Sequence, residues 1–372
     1  MHLTYTAEQE ALQAELRSYF AELMTDDVRE RLESRDGEYG VAYREVVRRL
    51  GRDGWLALGW PVEYGGGGRS TLDQLIFTDE AATAGCPVPF LTINTVGPTI
   101  MRFGTPSQKA FYLPSIAAGE IHFSIGYSEP EAGTDLASLR TRAVLDGDEF
   151  VINGQKMWTS LIQHADYVWL ACRTNKNAPK HKGLSIIIVP TTSPGFSWTP
   201  VRTVAGTTTS ATYYQDVRVP AGNLVGELDG GWPLITNQLN HERVALTSSA
   251  PIRLALAETI QWARRTGAME KEWVRLHLAR VHAKVEFLKL INWKAACGEV
   301  DRTLASATKV FGTEFALEAY RLLMEVLGDD AQGSRAERMH RSALILTFGG
   351  GTNEVQRDII AAAGLGLPAA QR

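Results

Sequence analysis

The chain has 372 residues, of which 44% are hydrophobic and 22% are charged, with a formal net charge of -4. This composition predicts a globular protein of two or three domains, and the lack of a basic excess argues against nucleic acid as the main partner. Three widely separated cysteines without a CxxC pair predict neither a disulfide framework nor a metal site. The acidic, amphipathic N-terminus is unlike a signal peptide, and no apolar run reaches about 18 residues, so we expect a cytoplasmic protein without a membrane span.

Periodicity divides the chain into three regions in the order helices, sheet, helices. Helical patterns broken by Gly/Pro turns predict an N-terminal α-helical domain over 1–119. Short β-branched and aromatic runs between turn residues predict a middle antiparallel β-domain of six or more strands over 120–228. Helical periodicity returns over 229–372 and predicts a C-terminal four-helix bundle. Together they indicate an α+β protein rather than a doubly wound α/β fold.

A glycine-rich stretch in the first region, WPVEYGGGGRS, invites a nucleotide-binding interpretation. No strand precedes it and no GK[ST] follows, so we interpret it as a loop.

The first candidate site stretch is SIGYSEPEAGTD at 124–135, where helices give way to strands. A strand followed by Pro130 and Gly133 predicts a tight loop that presents hydroxyls and backbone N–H groups. Such a loop suits the polar edge of a flat heterocycle or a pyrophosphate. The alternative is a structural turn in which Asp135 caps the next element.

The second stretch, QKMWTS at 155–160, is predicted to continue a strand. Trp158 and Ser160 are two residues apart and would then share one face of it. An indole beside an aromatic cofactor is one interpretation, and a core tryptophan is the other.

The predicted helix over 234–246 carries a carboxylate on its apolar face. Ile235 and Leu239 belong to the apolar stripe, and Glu242 falls in the middle of it. Arg243 is adjacent and points elsewhere, so no cation at helical spacing neutralises the carboxylate. Glu242 is therefore a general base with a raised pKa in a cleft, or it pairs with a distant cation, or the stripe faces water.

The fourth stretch, FGGGTNEVQR at 348–357, places three glycines before a predicted helix. Thr352 and Asn353 are good helix caps. A glycine loop that feeds a helix N-terminus lets an anion or a flat ligand approach the backbone closely.

These stretches, in this order and spacing, resemble the acyl-CoA dehydrogenase superfamily over essentially the whole chain. Residues 128–135 correspond to its T-E-P-x-A-G-[ST]-D loop and residues 153–160 to its N-G-x-K-x-W-x-[ST] strand. The E-R pair falls at 242–243, and the late G-T-x-x-x-Q-R segment falls at 351–357. The strings QLNHERV and FGGGTNEVQR are most similar to bacterial steroid-side-chain, heterotetrameric acyl-CoA dehydrogenases.

The resemblance implies an α-helical, β-sheet and four-helix-bundle architecture, FAD as cofactor, an acyl-CoA thioester as substrate and electron-transfer flavoprotein as acceptor. It implies substrate contacts at Arg243, Thr134 and Gly350. The implied cofactor contacts are Tyr127, Ser128, Gly133, Thr134, Trp158, Ser160, Thr352 and Glu354, the last in place of the family's usual glutamine.

The resemblance also implies which residue is the base. Many relatives carry a catalytic glutamate immediately before the G-T, where this chain has Gly350, and others carry it before the arginine, where this chain has Glu242. Glu242 is thus the implied base, which removes the α-proton while a hydride leaves Cβ for flavin N5. Glycine at 350 frees volume for a bulky or branched, steroid-like acyl group.

Two departures from the family pattern suggest a partner. Where homodimeric relatives hold the neighbour's flavin diphosphate with R-x-x-F-G and Q-x-L-G-G-x-G, this chain has RRTGAME at 264–270 and EVLGDDA at 325–331. The acids Glu325, Asp329 and Asp330 would repel a pyrophosphate. We therefore expect an α2β2 assembly in which a homologous second subunit completes the FAD site. A same-fold flavin oxidase or monooxygenase and a non-catalytic subunit are the alternatives.

Overall fold

The structure is a computed structural model that describes residues 4–33, 38–206, 208–245, 247–298 and 301–368. The side chains at 38, 208 and 240–246 also lie outside this description. Within the described residues, no helix combines the length and the apolar character that a membrane span requires.

The first layer is helical. Capping boxes begin three of its helices, because Thr6, Ser70 and Thr105 each accept from the backbone N–H three residues on while the residue there bonds back. The run WPVEYGGGGRS contains only a short 3-10 turn, Val62–Tyr64, so its interpretation as a loop is confirmed. The helices of this layer are α1 (Ala7–Leu23), α2 (Asp26–Glu33), α3 (Glu38–Arg52), α4 (Thr71–Ala84), α5 (Gly97–Phe103) and α6 (Pro106–Ala117).

The middle of the chain forms one mainly antiparallel sheet, as predicted. Its strands are β1 (Phe123–Gly126), β2 (Arg142–Asp146), β3 (Glu149–Lys156), β4 (Tyr167–Arg173), β5 (Leu184–Pro190), β6 (Phe196–Arg202), β7 (Thr208–Pro220) and β8 (Leu224–Val225). The strand order is β6-β7-β3-β2-β4-β5-β8, and β1 pairs with β4. Two pairings, β1 with β4 and β2 with β4, are parallel.

The central strand β4 is buried on both faces. Trp169 and Ala171 pack against the N-terminal helices, and Val168, Leu170 and Cys172 pack on the opposite side. An apolar run without alternation is what a strand covered on both faces requires.

The last layer is helical again, and α10 is its centre. It consists, in the described part of the chain, of α7 (Gly231–Ala245), α8 (Ala250–Thr266), α9 (Glu272–Cys297), α10 (Arg302–Leu327), α11 (Arg335–Ala343) and α12 (Asn353–Ile359). Helix α10 contacts each of the other five, and α8, α9 and α10 share a core that includes Val281, Leu288 and Leu323. The predicted α+β fold class with a helical C-terminal domain is confirmed.

Candidate active site

The predicted cofactor loop, residues 127–135, is anchored by a buried ion pair. Lys156 is fully buried, and its Nζ donates to Glu129 Oε1 at 2.8 Å. The Glu129 carboxylate also accepts from the backbone N–H groups of Arg140 at 2.7 Å and Thr141 at 2.8 Å. Burial by itself raises the pKa of Glu129, but Lys156 and the hydrogen bonds outweigh it and hold that pKa below its ordinary value. The loop is therefore fixed by a charged glutamate.

The predicted contacts within this loop differ in exposure. Tyr127 is buried, and its hydroxyl accepts from Trp169 Nε1 at 3.1 Å. Ser128 is half-buried, whereas Gly133 and Thr134 are exposed. A Cβ added at Gly133 would meet no atom within 4 Å. The surface open to a ligand is thus formed by Ser128, Gly133 and Thr134 rather than by the Tyr127 side chain.

The chain turns sharply where a continuing strand was predicted. Strand β3 ends at Lys156, and Trp158 and Leu161 have φ of 64° and 59°. Left-handed backbone at such residues costs of order 1–3 kcal/mol and recurs at functional sites. The prediction that Trp158 and Ser160 share a strand face is wrong because this turn ends the strand. The core alternative is also wrong, since Trp158 is 56% exposed.

The turn is tied to both the cofactor loop and the sheet. The Met157 N–H donates to the Ser128 carbonyl at 2.8 Å. The Ser160 hydroxyl donates to Thr209 Oγ1 at 3.2 Å, and its carbonyl accepts from Ser124 Oγ at 2.8 Å. An exposed indole, a half-buried serine hydroxyl and the open space at Gly133 therefore lie on adjoining segments. A flat, polar-edged ring system such as a flavin fits these features.

The Asp135 side chain does not cap the turn that follows it, contrary to the structural alternative for this loop. Asp135 stands before the 3-10 turn Leu136–Ser138 without a side-chain capping bond, and its carboxylate pairs with Lys180 instead. Lys180 belongs to the β4–β5 connection, which also exposes Lys176, His181 and Lys182. The sequence reasoning missed this basic loop, although four basic residues within seven positions were visible as a signal.

Helix α7 contains positions 242 and 243. The apolar stripe predicted for it is confirmed where the side chains are described, because Ile235 is fully buried and Leu239 packs against the same core. The side chains of Glu242 and Arg243, the predicted base and substrate contact, lie outside the described residues.

The segment after α7 is held against α9 and α10. Thr247 is buried, and its carbonyl accepts from Asn292 Nδ2 at 2.9 Å. A Cβ added at Gly312 of α10 would stand 2.5 Å from Thr247 Cβ. The absence of a side chain at 312 therefore lets α10 approach the end of α7.

Helix α10 also contacts the glycine loop, which we define as residues 348–351. Lys309, three residues before Gly312, donates to the carbonyls of Thr347 and Gly351 at 2.9 Å each. Three helical residues advance about 4.5 Å along the axis. The end of α7 and the glycine loop thus meet neighbouring turns of α10.

Beyond the glycine loop, the predicted cap is present. Thr352 is the N-cap of α12, and its hydroxyl accepts from the Val355 N–H at 3.3 Å. Asn353 is not a cap. It is the first helical residue, is buried, and accepts from Lys309 Nζ at 2.6 Å. Glu354 is exposed.

In the segment 325–331, which departs from the family pattern, two of the three acidic side chains make contacts within the chain. Glu325 pairs with Arg321 and with His277 Nε2, the latter at 3.0 Å. Asp330 Oδ2 accepts from Trp262 Nε1 at 2.8 Å. The Glu325 and Asp330 carboxylates thus bond other side chains on the surface of the helical domain.

Comparison with protein-family models defines the class. The chain matches acyl-CoA dehydrogenase models for the N-terminal domain over residues 6–120, the middle domain over 124–217 and the C-terminal domain over 229–365. The chain therefore belongs to the acyl-CoA dehydrogenase family, and the predicted resemblance and enzyme class are confirmed.

Individual relatives narrow the comparison. Acyl-CoA dehydrogenase FadE26 of Mycobacterium tuberculosis (strain ATCC 25618 / H37Rv) is 64% identical over 400 aligned positions that cover all of both chains. The ChsE4-ChsE5 complex from Mycobacterium tuberculosis contains a chain of 64% identity and TM-score 0.93, with full coverage of both chains. The Tcur3481-Tcur3483 steroid ACAD matches with 50% identity, TM-score 0.93 and full coverage. The predicted similarity to the steroid-type members is confirmed.

Proposed function

We propose that this chain catalyses FAD-dependent α,β-desaturation of an acyl-CoA thioester, with Glu242 as the base for the α-proton. The observation that carries the proposal is that Thr247, two residues after α7, and the glycine loop contact neighbouring turns of α10, which supports a base on α7 that acts close to Gly350.

The residues around the cofactor loop fit FAD. Ser128 and Ser160 would bond its polar edge, the exposed Trp158 indole would cover the ring system, and Gly133 and Thr134 would line the entrance. Thr352 and Glu354 are the proposed diphosphate contacts. When bound, FAD supplies the acceptor for the hydride that leaves Cβ.

The chain's own groups would handle the proton and the thioester oxygen. Glu242 takes the α-proton, and the Gly350 N–H donates to the thioester oxygen, which makes the α-carbon more acidic. A glycine at 350 keeps this donor while its missing side chain leaves room for a bulky acyl group. Arg243 and Thr134 are the proposed further substrate contacts.

The basic loop of the β4–β5 connection suits the phosphates of CoA. Lys176, Lys180, His181 and Lys182 are exposed, and Lys180 pairs with Asp135, next to the proposed substrate contact Thr134. Clustered exposed cations attract an anionic ligand through the local potential.

A steroid-like acyl group and a heteromeric α2β2 assembly are part of the proposal. The similar structures are described as a ChsE4-ChsE5 complex and a Tcur3481-Tcur3483 steroid ACAD. Asp329 and Asp330 support a second subunit because their carboxylates disfavour a diphosphate at that turn, whereas Glu325 is paired with Arg321 within the chain. Electron-transfer flavoprotein is the proposed acceptor.

Replacement of the proposed base tests the reaction. We expect Glu242→Gln to lower kcat by about 100-fold or more, because general-base catalysis typically contributes 10²–10⁴-fold, and to leave flavin content unchanged. Glu10→Gln, in the first turn of α1, is the control and should match the wild type. The assay follows reduction of ferrocenium under nitrogen with octanoyl-CoA, 2-methylpropanoyl-CoA and the CoA thioester of a sterol side-chain acid.

The outcomes separate the competing functions. Turnover that survives Glu242→Gln would mean a non-catalytic subunit, and turnover that requires oxygen and fails with the dye would mean an oxidase or monooxygenase. Preference for octanoyl-CoA would contradict the bulky-substrate part alone.

A further inference from the structure

One lysine of α10 ties the two ends of the glycine loop together. Lys309 is fully buried, and its ammonium donates to the carbonyls of Thr347 and Gly351 at 2.9 Å each and to Asn353 Oδ1 at 2.6 Å. Thr347 precedes the loop, Gly351 ends it, and Asn353 begins α12. An ammonium carries three N–H groups, so one side chain can bond several acceptors and gather both ends of the loop at one point.

The loop itself contributes little rigidity. Gly350 and Gly351 have φ of 68° and 95°, which glycine adopts without strain but at a larger loss of backbone entropy than any other residue. Gln356 of α12 adds longer contacts, with Nε2 at 3.4 Å from the carbonyls of both glycines, and its Oε1 accepts from Ser306 Oγ at 2.9 Å. Lys309 and Ser306 both belong to α10, so α10 determines the shape of the loop.

Burial of the charged Lys309 side chain is energetically unfavourable. Burying an ammonium requires far more desolvation than burying a methionine of similar length, so packing alone does not explain lysine at this position. The charge lies next to a loop whose Gly350 N–H is the proposed donor to the thioester oxygen. Negative charge develops on that oxygen as the α-proton leaves, and a donor held in a fixed position lowers its energy without reorganisation.

We propose that Lys309 is a positioning residue for the desaturation, which holds the glycine loop so that the Gly350 N–H meets the thioester oxygen. The chemical part of this inference rests on the proposed function. Its structural part, that Lys309 holds the loop, does not.

The kinetic test compares Lys309→Met, Lys309→Arg and a control, Lys284→Met, in the assembled, flavin-loaded enzyme. Lys284 of α9 also bonds α10, through Glu318, but makes no contact with the glycine loop among its described bonds. We expect Lys309→Met to lower kcat by about 100-fold with less than about a threefold change in KM, because the lost interaction belongs to the transition state. The kcat of Lys309→Arg should be about tenfold higher than that of Lys309→Met, and the kcat of Lys284→Met should stay within about twofold of the wild type. With an α-deuterated thioester, Lys309→Met should show a larger isotope effect on kcat than the wild type.

Hydrogen exchange measured by mass spectrometry without substrate tests the structural part. Peptides over 344–359 should exchange about tenfold faster in Lys309→Met than in the wild type or in Lys284→Met, while α8 keeps its protection and so reports an intact fold. Unchanged exchange over 344–359, or a rise in KM alone, would overturn the inference. If the wild type desaturates none of the three thioesters, the proposed function fails, and the exchange result still decides whether Lys309 holds the loop.

Discussion

The cofactor loop has one buried ion pair and one exposed ion pair, and the two differ in how much they contribute to stability. Lys156 and Glu129 are nearly inaccessible to solvent, whereas Arg140 and Glu131, 2.9 Å apart in the same part of the chain, are 81% and 76% exposed. Removal of one partner of a buried pair leaves an uncompensated charge, but an exposed pair stays solvated.

We therefore expect Lys156→Met to lower the free energy of unfolding by about 3–5 kcal/mol. Arg140→Met, the matched control, should change it by less than about 1 kcal/mol. Denaturant titration followed by tryptophan fluorescence measures both. Equal, small effects of the two substitutions would show that the buried pair does not hold the loop.

A buried histidine links the first helical layer to the sheet. His122 is 3% exposed, and neither ring nitrogen has a hydrogen-bond partner among the described residues. Burial lowers its pKa to about 4, Asp166 opposes the shift, and Arg44, Arg48 and His164 add to it. The histidine is thus neutral in the folded protein at pH 7.

This histidine should make stability depend on pH. Its pKa is lower in the folded chain than in the unfolded chain, so its contribution is complete above about pH 6.5 and is lost as the pH falls towards 4, by about 3 kcal/mol in all. We expect His122→Phe to flatten this part of the pH dependence of unfolding. His282→Phe, at an exposed position on α9, is the control. A parallel pH dependence in wild type and His122→Phe would assign the acid sensitivity to other groups.

At the scale of elements, the close crossing of α10 and the segment after α7 depends on one hydrogen atom in place of a side chain. Alanine is about 1 kcal/mol better than glycine inside a helix, so Gly312→Ala should stabilise α10 if nothing else changed. Its Cβ would stand 2.5 Å from Thr247 Cβ and 2.6 Å from Thr247 Cγ2, closer than packed carbons allow.

We expect Gly312→Ala to destabilise the fold by about 1–3 kcal/mol and to reduce kcat, because the end of α7 that leads to Glu242 must move. Thermal unfolding and the dye assay measure the two effects. Gly222→Ala, whose Cβ meets nothing within 4 Å, is the control. A stabilised, fully active Gly312→Ala would refute the role assigned to this crossing.

The sequence predicts which helices and strands form, but it does not predict where strand β3 ends. The regular pattern up to Lys156 predicts β3 correctly, and the same pattern continues through Trp158 although the backbone turns left-handed there. Residue patterns report which face a side chain would take in a regular element. They carry no signal for a turn imposed by a bond such as Met157 N–H to Ser128 O, which joins segments 29 residues apart.

At the scale of the whole molecule, the flavin stoichiometry tests the proposed assembly. We expect the chain expressed alone to retain little FAD, and co-expression with its homologous partner to give one FAD per pair in an α2β2 particle, since the 325–331 turn disfavours a diphosphate. Light scattering measures the mass of the particle, and the absorbance of flavin released from the protein measures the FAD content. An active, flavin-saturated homo-oligomer of this chain would contradict the heteromeric proposal.

The domain boundaries at 119/120 and 228/229 stay predictions. So do the roles of Glu242 and Arg243, whose side chains lie outside the described residues.

The sequence by itself determined the family, the fold class and the order of the three layers, because short motifs and hydrophobic periods are local and survive without coordinates. Only the tertiary structure decided that Lys309 binds the carbonyls at the two ends of the glycine loop, 38 and 42 residues away, and that Trp158 is exposed rather than buried. Such contacts depend on how helices and strands pack, and packing brings together residues whose separation along the chain carries no periodic signal.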